Sequence, residues 1–408
     1  MTTITACRSC GSKDLYQFLD LGDQPLANAL LTREQLERPE TVYPLKVVLC
    51  RECTLVQITE SVDPEILFRD YIYFSSFSET MLAHAKEVAD RLRAERHLGA
   101  DDLVVEIASN DGYLLKNFVA AGVPVLGIEP ARNIAAHAVK QGIPTVSEFF
   151  STALARDLAS KGKRADVMIA NNVMAHVPDI NDIVGGIEVL LADDGVFVME
   201  TPYVKDMVEN LEFDTMYHEH YYCHSLTDLE HLCRRHGLAA SDVQWIPIHG
   251  GTIQVSVTHA GREGDRPRVR AMLADEARWA GDTAYYADMG RKVDALKDEV
   301  LRLLRELRRA GKRVAGYGAA AKGATLINYM GIGPDLIEYV VDRSTYKQDK
   351  YLPGSHIPVH APERLLEDRP DYLVLLAWNL AEEIVRQQDA YRRAGGKFIV
   401  PVPAVRVM

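Results

Sequence analysis

The sequence predicts an α/β protein in which a small metal-stapled N-terminal domain precedes two doubly wound units. Three observations predict it. Two Cys-x-x-Cys pairs stand at Cys7/Cys10 and Cys50/Cys53. A strand, a turn of small residues and a helix follow one another over residues 103–115, and the same order returns over 312–325. Short apolar strands alternate with helical patterns through the remainder, as parallel sheets with crossover helices require. At 408 residues the chain is too long for one core, and the expected division is 1–72, 73–245 and 246–408.

Composition excludes several classes. A net charge of −12 argues against a nucleic-acid binder, whose affinity rests on Lys and Arg. No apolar run approaches the roughly 20 residues that span a bilayer, so no membrane partner is expected. The N-terminal residues carry no signal-peptide core, and a cytoplasmic enzyme is the expectation. Six cysteines without an export signal read as reduced thiols, so the two pairs point to metal before disulfides.

Taken in order, Cys7, Cys10, Cys50 and Cys53 have the spacing that puts two knuckle thiolates from each pair on one tetrahedral Zn²⁺. Four thiolates leave no open position, so this ion is structural. The 39 residues between the pairs exceed the common spacing, so the site closes over an inserted segment. A helical piece starts at Asp63-Pro64, and residues 71–78, with Tyr71 and Ser75-Ser76, alternate aromatics with hydroxyls as a plain strand would. Residues 80–97 read as an amphipathic helix.

The strand ending at Glu106-Ile107 runs into Ala108-Ser109-Asn110-Asp111-Gly112, the first turn of a doubly wound sheet, where a cofactor meets the strand's carboxyl end. Only Gly112 of the usual glycines is present, so the dinucleotide fingerprint fails. The next strand ends in Glu129, about 20 residues on, where an acid takes both ribose hydroxyls of NAD or of S-adenosylmethionine. A third strand leads into Asn171-Asn172 and His176, and a fourth ends at Glu200-Thr201-Pro202. That order favours the methyl-transfer version of the fold.

Residues 213–225 hold three His, two acids and three Tyr, a density of acid/base groups suited to proton transfer. These groups project from a loop beyond the sheet's cofactor edge. His249-Gly250-Gly251 then reads as a turn into a strand, with His249 either lining the same cavity or simply lying on the turn. From Met289 the apolar positions step by 4 and 3, the face of a long helix ending at Gly311. That face serves either a coiled-coil dimer or packing within the chain. The second doubly wound unit carries Gly316, Tyr317, Gly318 and Gly323, with Lys322 at the helix start, a turn suited to a pyrophosphate.

The ensemble resembles one family, the S-adenosylmethionine-dependent C-methyltransferases of dTDP-linked 4-keto-deoxysugars. The likeness runs nearly end to end. It rests on the Cys pairs, Glu-Ile-Ala-Ser-Asn-Asp-Gly, Asn-Asn-Val-Met-Ala-His-Val, Tyr-His-Glu-His, His-Gly-Gly-Thr and Gly-Tyr-Gly-Ala-Ala-Ala-Lys-Gly, in that order. Thr252 stands where the family often has Ser, a mild departure. The resemblance implies a zinc-binding domain, a Rossmann-like class I methyltransferase domain and a C-terminal Rossmann-like domain that helps hold the nucleotide sugar. It implies Tyr71, His176, Tyr217, Glu219 and His220 in the active site, with Ala108, Ser109, Asn110, Gly112, Glu129, Asn171, Asn172 and Ser76 about the cofactor. Tyr317, Lys322, Lys347, Trp378 and His249 are the expected substrate residues. Carbon becomes nucleophilic only as an enolate. His220 is therefore expected to remove the C-3 proton, Glu219 to orient, and Tyr217 and His176 to donate to the C-4 oxyanion. Methylation at C-5 is the alternative within the family, and an NAD-dependent sugar oxidoreductase or epimerase is the alternative outside it. A monomer is expected, because domains of one chain supply both halves of the site.

Overall fold

The computed structural model describes residues 2–68, 76, 79–248 and 250–408. Four sheets organise them. In the N-terminal region the strands Leu15–Pro25, Val42–Cys50 and Val56–Ile58 form an antiparallel sheet, with the Cys pairs at one end. The inserted segment between the pairs supplies the two longest strands of this sheet, which explains how the site closes over it.

The middle sheet has seven strands. Their spatial order is Leu238–Ile246, Thr252–His259, Leu191–Pro202, Ala165–Asn171, Val104–Ile107, Val125–Ile128 and Thr145–Val146. The last five named are mutually parallel, whereas Thr252–His259 runs antiparallel to both its neighbours. The reversed strand lies in the sheet because the Gly250-Gly251 turn returns the chain along Leu191–Pro202. The middle sheet thus extends past the division placed at 245/246, as far as His259. The expected helix over 80–97 is observed as Glu79–Arg96.

The C-terminal sheet orders Val359–His360, Val340–Val341, Val314–Tyr317, Tyr372–Leu375, Lys397–Val400 and Arg406–Val407, parallel except at the last pairing. The long helix spans Thr283–Arg309 and starts on an Asp282 cap that accepts from the Ala284 N–H. It buries Tyr286, Met289, Val293, Leu296 and Val300. Tyr286 meets Phe18 of the N-terminal sheet with ring centroids 5.0 Å apart. The apolar face is thus used within the chain.

Candidate active site

The site rests on the N-terminal thiols, whose domain carries the acid/base residues. The Sγ atoms of Cys7, Cys10, Cys50 and Cys53 all lie within 4.8 Å of one another. Each pair is curled by a tight turn: the Gly11 N–H donates to the Cys7 carbonyl and the Thr54 N–H to that of Cys50, both at 2.9 Å. The Gln57 amide donates to Cys7 Sγ at 3.2 Å, an outer-shell bond of the kind that steadies a metal thiolate. Four converging thiols with an outer donor fit a closed structural Zn²⁺.

The acid/base run is strung on this domain. Tyr222–Cys223 pairs with Val56–Ile58 as an added strand, and the Tyr221 hydroxyl donates to the Val62 carbonyl at 2.6 Å. Arg8, inside the first knuckle, lies over the rings of Tyr221 and Tyr222 at 5.4 and 6.0 Å. The metal-stapled domain therefore sets the position of the residues just after His220.

Among the run's three histidines, two have structural partners. His218 is buried and donates to the Pro44 carbonyl at 3.1 Å, and His224 is bound to Asp228 at 2.7 Å. His220 differs. Its Nδ1 lies 2.7 Å from the Thr215 carbonyl, which only accepts, so Nδ1 carries the proton. In the neutral ring Nε2 is then the acceptor, and the Tyr217 hydroxyl lies 2.9 Å from it. His176 meets the His220 ring edge-on at 4.6 Å. Burial pushes the His176 imidazole down to about 4, so it stays neutral near pH 7. The expected trio of Tyr217, His220 and His176 is brought together.

Glu219 points elsewhere. Both its oxygens accept from the Asn28 amide, at 2.8 and 3.0 Å, and no described contact joins it to His220. Burial raises its carboxyl to about 7, against the opposing effects of Asn28 and the Lys347 charge. Asn28 carried no signal in the sequence, being one polar residue in the segment between the Cys pairs.

The cofactor edge is built from backbone held off the usual conformations. Ala108, Asn110 and Asn172 have φ of 53°, 49° and 57° without being glycine, which costs about 1–2 kcal/mol each. Gly112, at φ 79°, is free of that strain, and no larger residue fits there: a Cβ would lie 2.7 Å from Ile143 Cγ1. Glu129 accepts the Asn110 N–H at 2.9 Å and the Ala131 N–H at 2.8 Å, which fixes its carboxylate at the turn. Burial raises the Glu129 carboxyl, and it raises that of Glu106 far more, helped by Glu129, Asp111 and Glu200. Among the described residues, buried Glu106 Oε2, Ser109 Oγ, Asp111 Oδ1 and Asn171 Oδ1 have no hydrogen-bond partner. Orphaned acceptors and hydroxyls ringed by acids suit a cationic, hydroxyl-bearing ligand such as S-adenosylmethionine. Asp111, which the sequence pattern did not single out, also accepts the Ser76 N–H at 3.3 Å. Tyr71 and His249 lie outside the described residues.

The C-terminal candidates separate. Lys347 donates to the Ala319 carbonyl at 2.7 Å, and its charge acts on Glu219. Tyr317 is buried beside Gln388. Lys322 and Trp378 turn toward the middle domain: Lys322 Nζ is 5.1 Å above the Trp378 ring, and the indole N–H donates to Asp214 at 2.8 Å. Burial raises Asp214 to about 6 and Glu212 to about 7, and Lys322 opposes both. A Cβ at Gly250 would lie 2.4 Å from Glu212 Oε2, so this carboxylate occupies the space that makes the turn need glycine.

Three family models match in succession: “Putative zinc binding domain” over residues 7–68, “Methyltransferase domain” over 81–242 and “C-methyltransferase C-terminal domain” over 247–403. A curated relative, the C-methyltransferase NovU of Streptomyces niveus, is 37% identical over 407 residues, covering 99% of this chain and 97% of its own. The chain belongs to the C-methyltransferases. As a member it is an S-adenosylmethionine-dependent enzyme with a zinc-binding N-terminal domain. Solved structures resemble it only in part. Magnesium protoporphyrin IX methyltransferase from Synechocystis, with bound SAH, is 14% identical and covers 44% of this C-methyltransferase and 83% of itself, at a TM-score of 0.35. CcbJ methyltransferase from Streptomyces caelestis is also 14% identical, covering 43% and 90%, at 0.35. Among the described residues no helix is long and apolar enough to cross a membrane.

Proposed function

We propose that this C-methyltransferase methylates C-3 of a dTDP-linked 4-keto-deoxysugar, as in the making of unusual antibiotic sugars. C-5, equally alpha to the ketone, is the other carbon open to the same chemistry. The reading is supported above all by the hydrogen-bonded pair of Tyr217 and His220. Thr215 holds the Nδ1 proton, so the Nε2 lone pair is the one presented to a substrate. As the substrate enters, the Tyr217 hydroxyl turns from Nε2 to donate to the C-4 oxygen, which frees that lone pair. Nε2 then takes the proton alpha to the ketone, the C–H electrons become the new C=C bond, and the carbonyl π pair moves to the C-4 oxygen as the enolate forms. His176, neutral because buried, adds a second donor. Bound S-adenosylmethionine supplies the electrophilic methyl group. Glu219 and Asn28 hold the run from the side of the N-terminal domain, and Lys347 reaches it from the C-terminal domain. The proposed division of labour follows 1–72, 73–245 and 246–408, with the strand Thr252–His259 completing the middle sheet and with Tyr317, Lys347 and His249 on the nucleotide-sugar side.

The test is calorimetry with S-adenosylhomocysteine and then dTDP on the zinc-loaded protein, followed by turnover of 4-keto dTDP-sugars. Both ligands are expected to bind. His220→Gln is expected to lower turnover by roughly 10²–10⁴-fold with both affinities retained. Near-wild-type turnover in a folded His220→Gln protein would remove His220 as the base. Binding of dTDP and NAD(H) without S-adenosylhomocysteine would sink the methyl-transfer reading.

A further inference from the structure

The C-terminal domain reaches His220 through the backbone. Phe213–Thr215 forms a short 3-10 turn, and its last residue, Thr215, supplies the carbonyl that holds His220 Nδ1. The turn is pinned from the other domain. Phe213 packs on Tyr329 with centroids 5.2 Å apart, and Asp214 Oδ2 accepts the Trp378 indole N–H at 2.8 Å. Asp214 has no exposed surface and Trp378 almost none, so water does not compete for this bond. Among the described residues Lys322 Nζ and Asp214 Oδ1 have no hydrogen-bond partner, although the Lys322 charge acts on Asp214. Lys322 therefore balances the buried carboxylate without fixing its orientation. Among the described side chains, only the indole N–H fixes it by a hydrogen bond.

We propose that Asp214 and Trp378 are positioning residues: their hydrogen bond sets the Phe213–Thr215 turn so that the Thr215 carbonyl selects the His220 tautomer with Nε2 unprotonated. The C-terminal domain thereby does more than carry ligand residues, because its seating on the middle domain prepares the base. The alternative tautomer would point an N–H at the substrate carbon and could not accept its proton. This inference rests on His220 as the base, but it can be read without any substrate.

The experiment uses full-length, zinc-loaded protein with ¹⁵N-labelled histidine, the His220 signals being assigned by their loss in His220→Gln. Wild type is expected to show the Nδ1–H form of His220. Trp378→Phe keeps the ring and removes the donor. Asp214→Ala removes the acceptor, and Asp214→Asn keeps a carbonyl oxygen for the indole. Trp378→Phe and Asp214→Ala are expected to give a mixture of tautomers and a kcat lower by roughly 10–100-fold. S-adenosylhomocysteine affinity and the sugar-nucleotide KM should stay within about threefold. Asp214→Asn should recover the wild-type tautomer and most of kcat. An unchanged His220 signal in folded Trp378→Phe and Asp214→Ala would overturn the proposal. So would a loss confined to KM, which would make Trp378 a ligand residue. If the substrate class is wrong, the tautomer shift still appears, whereas a wrong positioning role leaves it absent.

Discussion

The two doubly wound units share one device and use it differently. In each, an acid ends the second strand and accepts two backbone N–H groups. Glu129 takes those of Asn110 and Ala131, at 2.9 and 2.8 Å. Asp342 takes those of Ala319 and Ser344, at 2.7 and 2.8 Å. Around the first clamp the backbone is left-handed at Ala108, Asn110 and Gly112, and buried polar atoms lack partners among the described residues. Around the second, the backbone is left-handed at Gly318, Lys347 is on the Ala319 carbonyl, and Lys322, itself without a hydrogen-bond partner among the described residues, lies over Trp378 facing Asp214. Strain and unmet hydrogen bonding persist where a ligand repays them. A cation at a helix start, by contrast, serves whichever acid lies nearest, and here that acid belongs to the neighbouring domain.

The largest effect expected from this contrast is at Glu129. Glu129→Ala frees two backbone donors and removes the acceptor proposed for the ribose hydroxyls. S-adenosylhomocysteine affinity should fall by roughly 10–100-fold, since each bond to a charged group contributes about 1.5–3 kcal/mol. Binding of dTDP should be unchanged, as calorimetry on the same sample would show. Equal losses of both ligands would mean that the first turn is only a structural hinge.

Asp342→Asn is the matching change at the second clamp and should be milder. One of the two backbone donors then meets an amide nitrogen, costing about 1–3 kcal/mol of stability. S-adenosylhomocysteine affinity should hold, and a lowered urea midpoint with an unchanged calorimetric Kd is the expected pair of results. A fall in S-adenosylhomocysteine affinity would show that the units are coupled through their clamps.

The contrast also explains what could be read in advance. The Cys pairs, the first turn, Glu129 and the Tyr217/His220/His176 trio were legible because local chemistry dictates them: thiolate spacing, a strand ending in an acid, a dense run of ionisable groups. The long helix was legible from its 4-and-3 stepping, and Thr283–Arg309 buries that face. What stayed hidden depends on partners distant in sequence. Asn28 is 191 residues from Glu219, and Trp378 is 164 from Asp214. Tyr222–Cys223 joins the N-terminal sheet, which no local pattern announces. Asp214 itself lay within the run and could have been found as an acid too buried to remain without a partner. That Lys322 and Trp378, expected on the substrate side, face Asp214 was not legible, because sequence shows which residue occupies a turn and not which way its side chain faces.

Glu219 lies where the two units meet, and the effect predicted there shows only in the pH dependence of stability. Its carboxyl, at about 7 in the folded protein, stands above its ordinary value of 4.5, chiefly through burial. The protonated form is therefore the one the fold favours. That contribution is fully present below pH 4.5 and is lost as pH rises through 7. Glu219→Gln cannot ionise and keeps a carbonyl oxygen for Asn28. Its stability should fall less than wild type's between pH 5 and pH 8, by up to about 3 kcal/mol. Lys347→Met should act oppositely. It removes a charge that lowers the Glu219 carboxyl, so the titration should move further up and the loss of stability should extend to higher pH. Urea titrations at the two pH values measure both. Parallel curves for Glu219→Gln and wild type would mean that Glu219 is solvated as an ordinary carboxylate, and that the second turn's lysine does not reach it.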